Sequence, residues 1–386
     1  MTTKIMPLAE AVGRFVKDGQ TVALEGFTHL IPVAAGHEMI RQGRKDLTLV
    51  RMTPDIVYDQ MIGMGCATGV VFSWGGNPGV GSIHRFRDAI ENGWPHPISV
   101  HEHSHADMAG RYQAGASGLP FSVLRGYVGS DLPKHNPDIR SITCPFTGEK
   151  LAATPALNPD VTVIHAQQAD RKGNVLITGI VGIQKEAVLA AKAAIVTVEE
   201  IVDDLHAPMN ACLLPHWVLS AVCEVPFGAH PSYAHGYYVR DNAFCKAWDA
   251  VSREREPFLA WMKQHVLGTK DHAEFMKSAQ IVVPAKAGTG TVAPAKAGTH
   301  VDSRLRGNDE KDVEYAATEI MTIEAARRLR GGMVCFVGIG MPSAAANLAR
   351  LTHAPEVVLI YESGTIGAKP DVLPLSIGDG ELAEHA

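Results

Sequence analysis

The chain reads as an α/β protein built from two homologous domains with mostly parallel open sheets. Three observations lead there. Short runs rich in Val, Ile and Leu alternate with amphipathic helical segments from residue 8 to about residue 205, the order of repeated βαβ units. That alternation breaks across 271–313 and then resumes. The resumed part copies the plan of the N-terminus, so one fold is used twice.

At 386 residues the chain has length for two or three domains, and 46% hydrophobic against 20% charged residues allows a large core. A formal charge of -6, with no basic run, argues against a nucleic-acid surface. No apolar run approaches the roughly 18 residues that cross a bilayer. The six cysteines form no CxxC pair, and Met1–Met6 leads straight into an amphipathic segment without a secretory leader. Reduced thiols and a cytoplasmic location are the expectation.

In order, Leu8–Val16 is a helix stopped by Lys17-Asp18-Gly19, Thr21–Leu24 a strand, and Glu25-Gly26-Phe27 a turn. Pro32–Arg41 is a helix and Asp46–Met52 the next strand, completing a βαβ unit. Val70-Val71-Phe72 is a strand that runs into Trp74-Gly75-Gly76-Asn77-Pro78-Gly79-Val80-Gly81-Ser82, ahead of a helix over Ile83–Asn92. Gly75, Gly76, Gly79 and Gly81 are candidates to present free N–H groups to a phosphate. The loop lacks the Lys-Ser/Thr of a P-loop, and a purely structural turn explains it equally well.

Ile98–His101 is a strand end and Ala106–Ala114 a helix, with His101-Glu102-His103-Ser104-His105 between them. His101 and His105 have the i,i+4 spacing of a zinc pair, but no third ligand is spaced to join them, so no metal is expected. The better reading is a polar crevice, with Glu102 and the histidines lining a substrate pocket. Val161–His165 and Ala194–Val198 are strands, Val175–Ile177 is a short apolar run after the polar turn Asp170–Asn174, and Ala187–Ala194 is a helix. Pro226–Pro231 is a Gly/Pro loop, and Asp241–His265 one or two helices that close a first domain over 1–268.

Pro284-Ala285-Lys286-Ala287-Gly288-Thr289 recurs as Pro294-Ala295-Lys296-Ala297-Gly298-Thr299, and a charged stretch follows. With little to bury, 271–313 is expected as a flexible linker. Domain two, 314–386, has a helix at Thr322–Arg330, a strand at Val334–Val337, a helix at Ser343–Leu351 and a strand at Val357–Ile360. Pro32 and Pro342 align 310 residues apart, and at that offset Glu362 falls opposite Met52. Glu362 thus stands just beyond a strand, where open α/β sheets place ligands. A carboxylate there is either a solvated loop residue or a nucleophile toward an activated acyl group.

These residues resemble a family I coenzyme A transferase of the glutaconate and 3-oxoacid type, with an A-like part fused to a truncated B-like one. Asp18-Gly19-Gln20-Thr21-Val22-Ala23-Leu24-Glu25-Gly26-Phe27 resembles the family's A-type subunit, with Glu25 where the family usually has Gly. Glu362-Ser363-Gly364-Thr365-Ile366-Gly367 resembles the catalytic signature of its B-type subunit. The resemblance implies that Glu362 is the catalytic nucleophile, forming a glutamyl-CoA thioester while coenzyme A passes from an acyl-CoA to a carboxylic acid acceptor. It implies that Gly26, Phe27, Thr28, Ser363, Gly364, Gly378 and Gly380 contact substrate, that the glycine loop holds the coenzyme, and that no further cofactor is needed. The implied assembly is a homo-oligomer or a complex with a complete B-type subunit. Two alternatives remain open. Relatives of the A-type subunit hydrolyse a ring C–C bond of acyl-CoA intermediates, with Glu102 beside His103 and His105 as acid/base group. The chain is otherwise a catalytically incomplete A-type subunit that needs a separate B-type one.

Overall fold

The computed structural model describes residues 4–78, 80–281, 316–361 and 364–370. The chain divides into two compact units, Met1–Ala285 and Lys286–Ala386.

The first unit begins with regular alternation: α1 (Leu8–Phe15), β1 (Thr21–Glu25), α2 (Val33–Arg41), β2 (Leu47–Val50), α3 (Ile56–Gly63), β3 (Ala67–Phe72), α4 (His84–Glu91), β4 (Ser99–Glu102) and α5 (His105–Ala116). An excursion follows through β5 (Phe121–Leu124), α6 (Leu132–His135), β6 (Arg140–Thr143) and β7 (Lys150–Pro155). The main sheet is then completed by β8 (Val161–Asp170), β9 (Val175–Ile177), β10 (Ala193–Val202), β11 (Cys212–Leu214) and β12 (Ala221–Glu224), with α7 (Gln184–Ala190) between β9 and β10. Helices α8 (Asn242–Arg253), α9 (Arg255–Trp261) and α10 (His272–Ser278) close the unit.

Nine strands form one sheet in the order β11-β9-β8-β1-β2-β3-β4, with β10 and β12 branching from β8. Only the β8–β9 and β9–β11 pairs are antiparallel. Parallel strands are covered on both faces, so they tolerate apolar residues at successive positions. In β1, Val22, Ala23 and Leu24 are all fully buried. Complete burial of Leu24, Leu47 and Leu49 contributes about 1.5–3 kcal/mol each.

Three parts of this unit depart from the sequence expectation. Helix α3 was not expected. All eight of its residues are buried, so it carries no amphipathic stripe to read. Its start is nonetheless marked by Asp55, whose side chain accepts the Val57 N–H. The three-stranded antiparallel sheet β5-β7-β6 was also unforeseen. The third departure corrects the boundaries: the linker does not begin at 271. Asp271 caps α10, and Phe275 and Met276 are buried in the main core. The rest of the expected linker, 282–313, lies outside the described residues.

The second unit contains α11 (Ala317–Arg328), β13 (Val334–Val337), α12 (Met341–Thr352) and β14 (Val358–Tyr361). Strands β13 and β14 pair in parallel, so the expected repeat of the βαβ plan is present. Thr21 pairs with Thr48, whereas Val334 pairs with Val358. The crossover in the first unit is therefore three residues longer. The difference falls before the aligned prolines, in the segment holding Gly26–Leu30.

Candidate active site

Strands β1, β2, β8 and β10 run parallel, so their carboxyl ends share one edge of the sheet, where ligand crevices form. Glu25 is the last residue of β1 and is 2% exposed. Its Oε1 accepts the Tyr112 hydroxyl of α5 at 2.8 Å and the Met52 N–H at 3.1 Å. Burial pushes its carboxyl up to about 7, outweighing the nearby Arg51 guanidinium and those hydrogen bonds. Arg51 donates to the Gly26 carbonyl at 3.0 Å and pairs with Asp55 at 3.0 Å. Behind them, the Tyr58 hydroxyl accepts the Leu24 N–H at 3.3 Å and donates to the Val50 carbonyl at 2.5 Å.

The next five residues make a tight loop. A Cβ on Gly26 would lie 2.7 Å from the Leu30 carbonyl oxygen. Thr28 and Leu30 adopt φ of 61° and 54°, left-handed conformations that cost non-glycine residues about 1–2 kcal/mol each. Neighbours secure the loop: Ser232 Oγ donates to the Thr28 carbonyl at 3.1 Å, and the Leu30 N–H to the Tyr233 carbonyl at 2.9 Å. The His29 ring stacks on Tyr233 and bonds the Ile180 carbonyl. Phe27 packs against Gly182, while Thr28 lines a narrow cavity with Asp55, Ser232 and Arg240. The expected residues Gly26, Phe27 and Thr28 are thus held together at the crevice.

The adjoining segment is pinned from beneath. His165 of β8 sits between the Thr197 hydroxyl, 2.8 Å, and the Glu199 carboxylate, 2.6 Å. Glu199 also accepts the Tyr238 hydroxyl and the Phe227 N–H, both at 2.7 Å. Several histidines surround this segment in buried positions. Burial lowers His29 and His272 to about 4 and holds His37 well below its usual value, so all three stay neutral near pH 7.

In the glycine-rich loop, the N–H groups of Gly76, Asn77, Val80 and Gly81 are engaged by carbonyls of Pro54, Gly81 and Asn77. Asn77 anchors the loop to the Cys245 carbonyl at 2.7 Å. A Cβ on Gly76 would strike the Trp74 ring at 2.5 Å, and Gly75 faces Ile83. The start of α4 is filled by the buried Asp59 carboxylate, which accepts the Arg85 and Phe86 N–H groups. This geometry is that of a structural turn. Gly79 lies outside the described residues.

Glu102 ends the edge strand β4 with its side chain exposed. Its carbonyl accepts Asn136 Nδ2 at 2.7 Å. His103 is buried instead, contacting Asp107 at 2.8 Å through Nδ1 and Arg111 at 2.6 Å and Asn136 at 3.1 Å through Nε2. The arrangement fixes the tautomer: Nδ1–H donates to Asp107, and Nε2 accepts from the two donors. His101 meets Asp138 at 3.3 Å, and no group of residues suited to a metal ion occurs among the described residues.

In the second unit, β14 leads to Gly364 at φ 85°, whose N–H donates to the Tyr361 carbonyl at 2.9 Å. The Tyr361 N–H donates to the Thr365 carbonyl at 3.0 Å. The buried Tyr361 hydroxyl meets Ser343 and Asn347 of α12. Glu362, Ser363, Gly378 and Gly380 lie outside the described residues.

Sequence reasoning noticed Glu25 only as a departure from a pattern. Its partners Arg51 and Tyr112, and the His165–Glu199 pair, went unnamed. The available signal was charge in unusual places: Glu25 ends a strand after the buried, apolar Val22, Ala23 and Leu24, and Glu199 lies within β10 next to buried Val198.

Comparison with known proteins covers both parts of the chain. The profile of the family described as Coenzyme A transferase matches residues 5–224 and 318–386. The chain is 70% identical over 272 residues to the A-type subunit of the 3-oxoadipate CoA-transferase of Pseudomonas knackmussii, covering 70% of this chain and 96% of that one. It is 76% identical over 72 residues to the B-type subunit of the 3-oxoadipate CoA-transferase of the same organism, covering 19% of this chain and 28% of that one. The crystal structure of glutaconate coenzyme A-transferase from Acidaminococcus fermentans superimposes with a TM-score of 0.68 at 33% identity, over 73% of this chain and 96% of that one.

Proposed function

The chain belongs to the coenzyme A transferase family, and from that premise we propose that it transfers coenzyme A from an acyl-CoA to a carboxylate acceptor through Glu362. The observation that carries the reading is that likeness to both halves of one transferase occurs in this single chain, the B-type part at 76% identity. Because both relatives are named for 3-oxoadipate, the proposed acyl group is that of a six-carbon dicarboxylic acid.

The Glu362 carboxylate attacks the thioester carbonyl, giving a mixed anhydride and releasing the CoA thiolate. The thiolate attacks the glutamyl carbonyl, forming the glutamyl-CoA thioester and freeing the first acid. The acceptor carboxylate repeats the two steps in reverse order and restores Glu362. No water is consumed and no atom changes oxidation state, so the chemistry calls for no redox cofactor beyond the coenzyme A that is carried. A carboxylate is a weak nucleophile, and positioning together with oxyanion donors has to supply the rate. Gly26, Phe27 and Thr28 are proposed to face the acyl group, with Ser363, Gly364, Gly378 and Gly380 contributing from the B-like part. The expected assembly is a homo-oligomer or a complex with a complete B-type subunit, working in the cytoplasm.

The test is mass spectrometry of the protein after incubation with acyl-CoA, alone and mixed with a complete B-type partner. The peptide carrying Glu362 should gain a covalent adduct, and Glu362→Gln should abolish it. If Glu102→Gln abolishes turnover while Glu362→Gln does not, the hydrolytic reading replaces this one. Activity only after mixing identifies an A-type chain that borrows its partner's nucleophile.

A further inference from the structure

We propose that Glu25 is a positioning residue for the transfer reaction, clamping the carboxyl ends of β1 and β2 so that the Gly26–Leu30 loop keeps its acyl-facing conformation. The link to the acyl group rests on the function proposed above; the clamp itself rests on geometry alone.

The clamp has two arms. Through Oε1, Glu25 holds the Met52 N–H just beyond β2 and the Tyr112 hydroxyl of α5. Beside it, Arg51 holds the carbonyl of Gly26, the first residue of the loop, and is anchored by Asp55. The charged and titratable groups around the carboxyl are therefore Arg51, Tyr112, Tyr58 and Asp55. A buried carboxyl next to a strand end is costly unless its bonds repay the lost solvation. Here those bonds sit where the loop begins, and the loop needs outside support because Thr28 and Leu30 are left-handed.

Ionised, Glu25 makes charge-assisted bonds and draws the Arg51 guanidinium toward the Gly26 carbonyl. Protonated, it makes weaker neutral bonds and no longer attracts Arg51. Burial places this change near pH 7. If the loop opens with the carboxyl still buried, it loses the Arg51 and hydrogen-bond partners that favour the charged form. The closed loop should therefore be firmer on the alkaline side, and Glu25→Gln should imitate the acid form at every pH.

The experiment uses the full chain, wild type, Glu25→Gln and Glu25→Ala, between pH 5.5 and 8.5. The first readout is amide hydrogen exchange of the peptide covering 26–32, corrected for the intrinsic rate. Protection in the wild type should rise through pH 7 by on the order of tenfold. Glu25→Gln should lack that step, and Glu25→Ala should expose the loop at all pH values. The second readout is the rate of adduct formation on Glu362, which should show the same inflection in the wild type and lose it in Glu25→Gln, with kcat falling more than KM rises. A step in exchange retained by Glu25→Gln, or an unchanged loop in Glu25→Ala, overturns the proposal. If no adduct forms in the wild type, the transfer reading falls, while the exchange data still decide whether the clamp exists.

Discussion

Replacing Gly26 by Ala tests the closeness of the crevice loop. The added methyl would lie 2.7 Å from the Leu30 oxygen, and 2.9 Å from both the His29 oxygen and the Leu30 carbonyl carbon. All three are backbone atoms, so no rotamer change relieves the contact. Overpacking of this kind costs about 1–3 kcal/mol. Moving the loop aside would also weaken the Arg51 bond to the Gly26 carbonyl, worth about 1 kcal/mol or more. The expected loss is about 2–4 kcal/mol, and at about 2–4 °C per kcal/mol for a unit of this size Tm should drop by about 5–15 °C. Thermal unfolding followed by circular dichroism measures this, with Gly13→Ala as control. Gly13 lies within α1, where a Cβ meets only Gln42 at an ordinary 3.6 Å, so that variant should gain about 0.5–1 kcal/mol. A Gly26→Ala protein melting within about 2 °C of wild type would refute the packing argument.

Phe275→Ala should cost about 3–5 kcal/mol in denaturant unfolding, because the ring is fully buried; a linker residue at that position would cost almost nothing. His272, lowered by burial to about 4, gives an acid-sensitive stability. Its unfolded form takes up a proton near pH 6.5 and the folded form only near 4, so stability is lost as pH falls through that window, by about 2 kcal/mol at pH 5. In His272→Gln, the difference in unfolding free energy between pH 7 and pH 5 should shrink by that amount, and an unchanged difference would show that another group sets the slope. Glu25 acts in the opposite sense: its raised value makes the folded state hold a proton between about 4.5 and 7, so Glu25→Gln should steepen acid destabilisation across that range.

Legibility in the sequence followed the physics of each element. Strand Val334–Val337 was read to the residue, since a short apolar run between turn residues stands out in the sequence. Helix α3 escaped because burial on every side removes the stripe that marks a surface helix. Helix α10 was lost to the low-complexity sequence that follows it, although Asp271 is an ordinary capping residue. The crevice was readable as a place, from the turn after β1, but not as a network. Glu25 meets Tyr112 across 87 residues of chain, and no local pattern encodes such a pair. The glycine-rich loop shows the converse difficulty: its composition suits phosphate binding and structural bending equally, and only the bonding of its N–H groups distinguishes them.

The Tyr58 hydroxyl has a mechanical meaning. Ala23 and Val50 are the last residues of β1 and β2 in register, and the Leu24 N–H and Val50 carbonyl lie at that end of the ladder. The phenol sits beside them, accepting from one strand and donating to the other. The rigid ring, rooted in α3, ties both strand ends to that helix. Both backbone groups at this buried strand end therefore have a phenol partner where the ladder stops. Tilting α3 would pull on both strand ends at once, so a helix without any residue in the proposed chemistry is coupled to the sheet edge from which the Gly26–Leu30 loop starts.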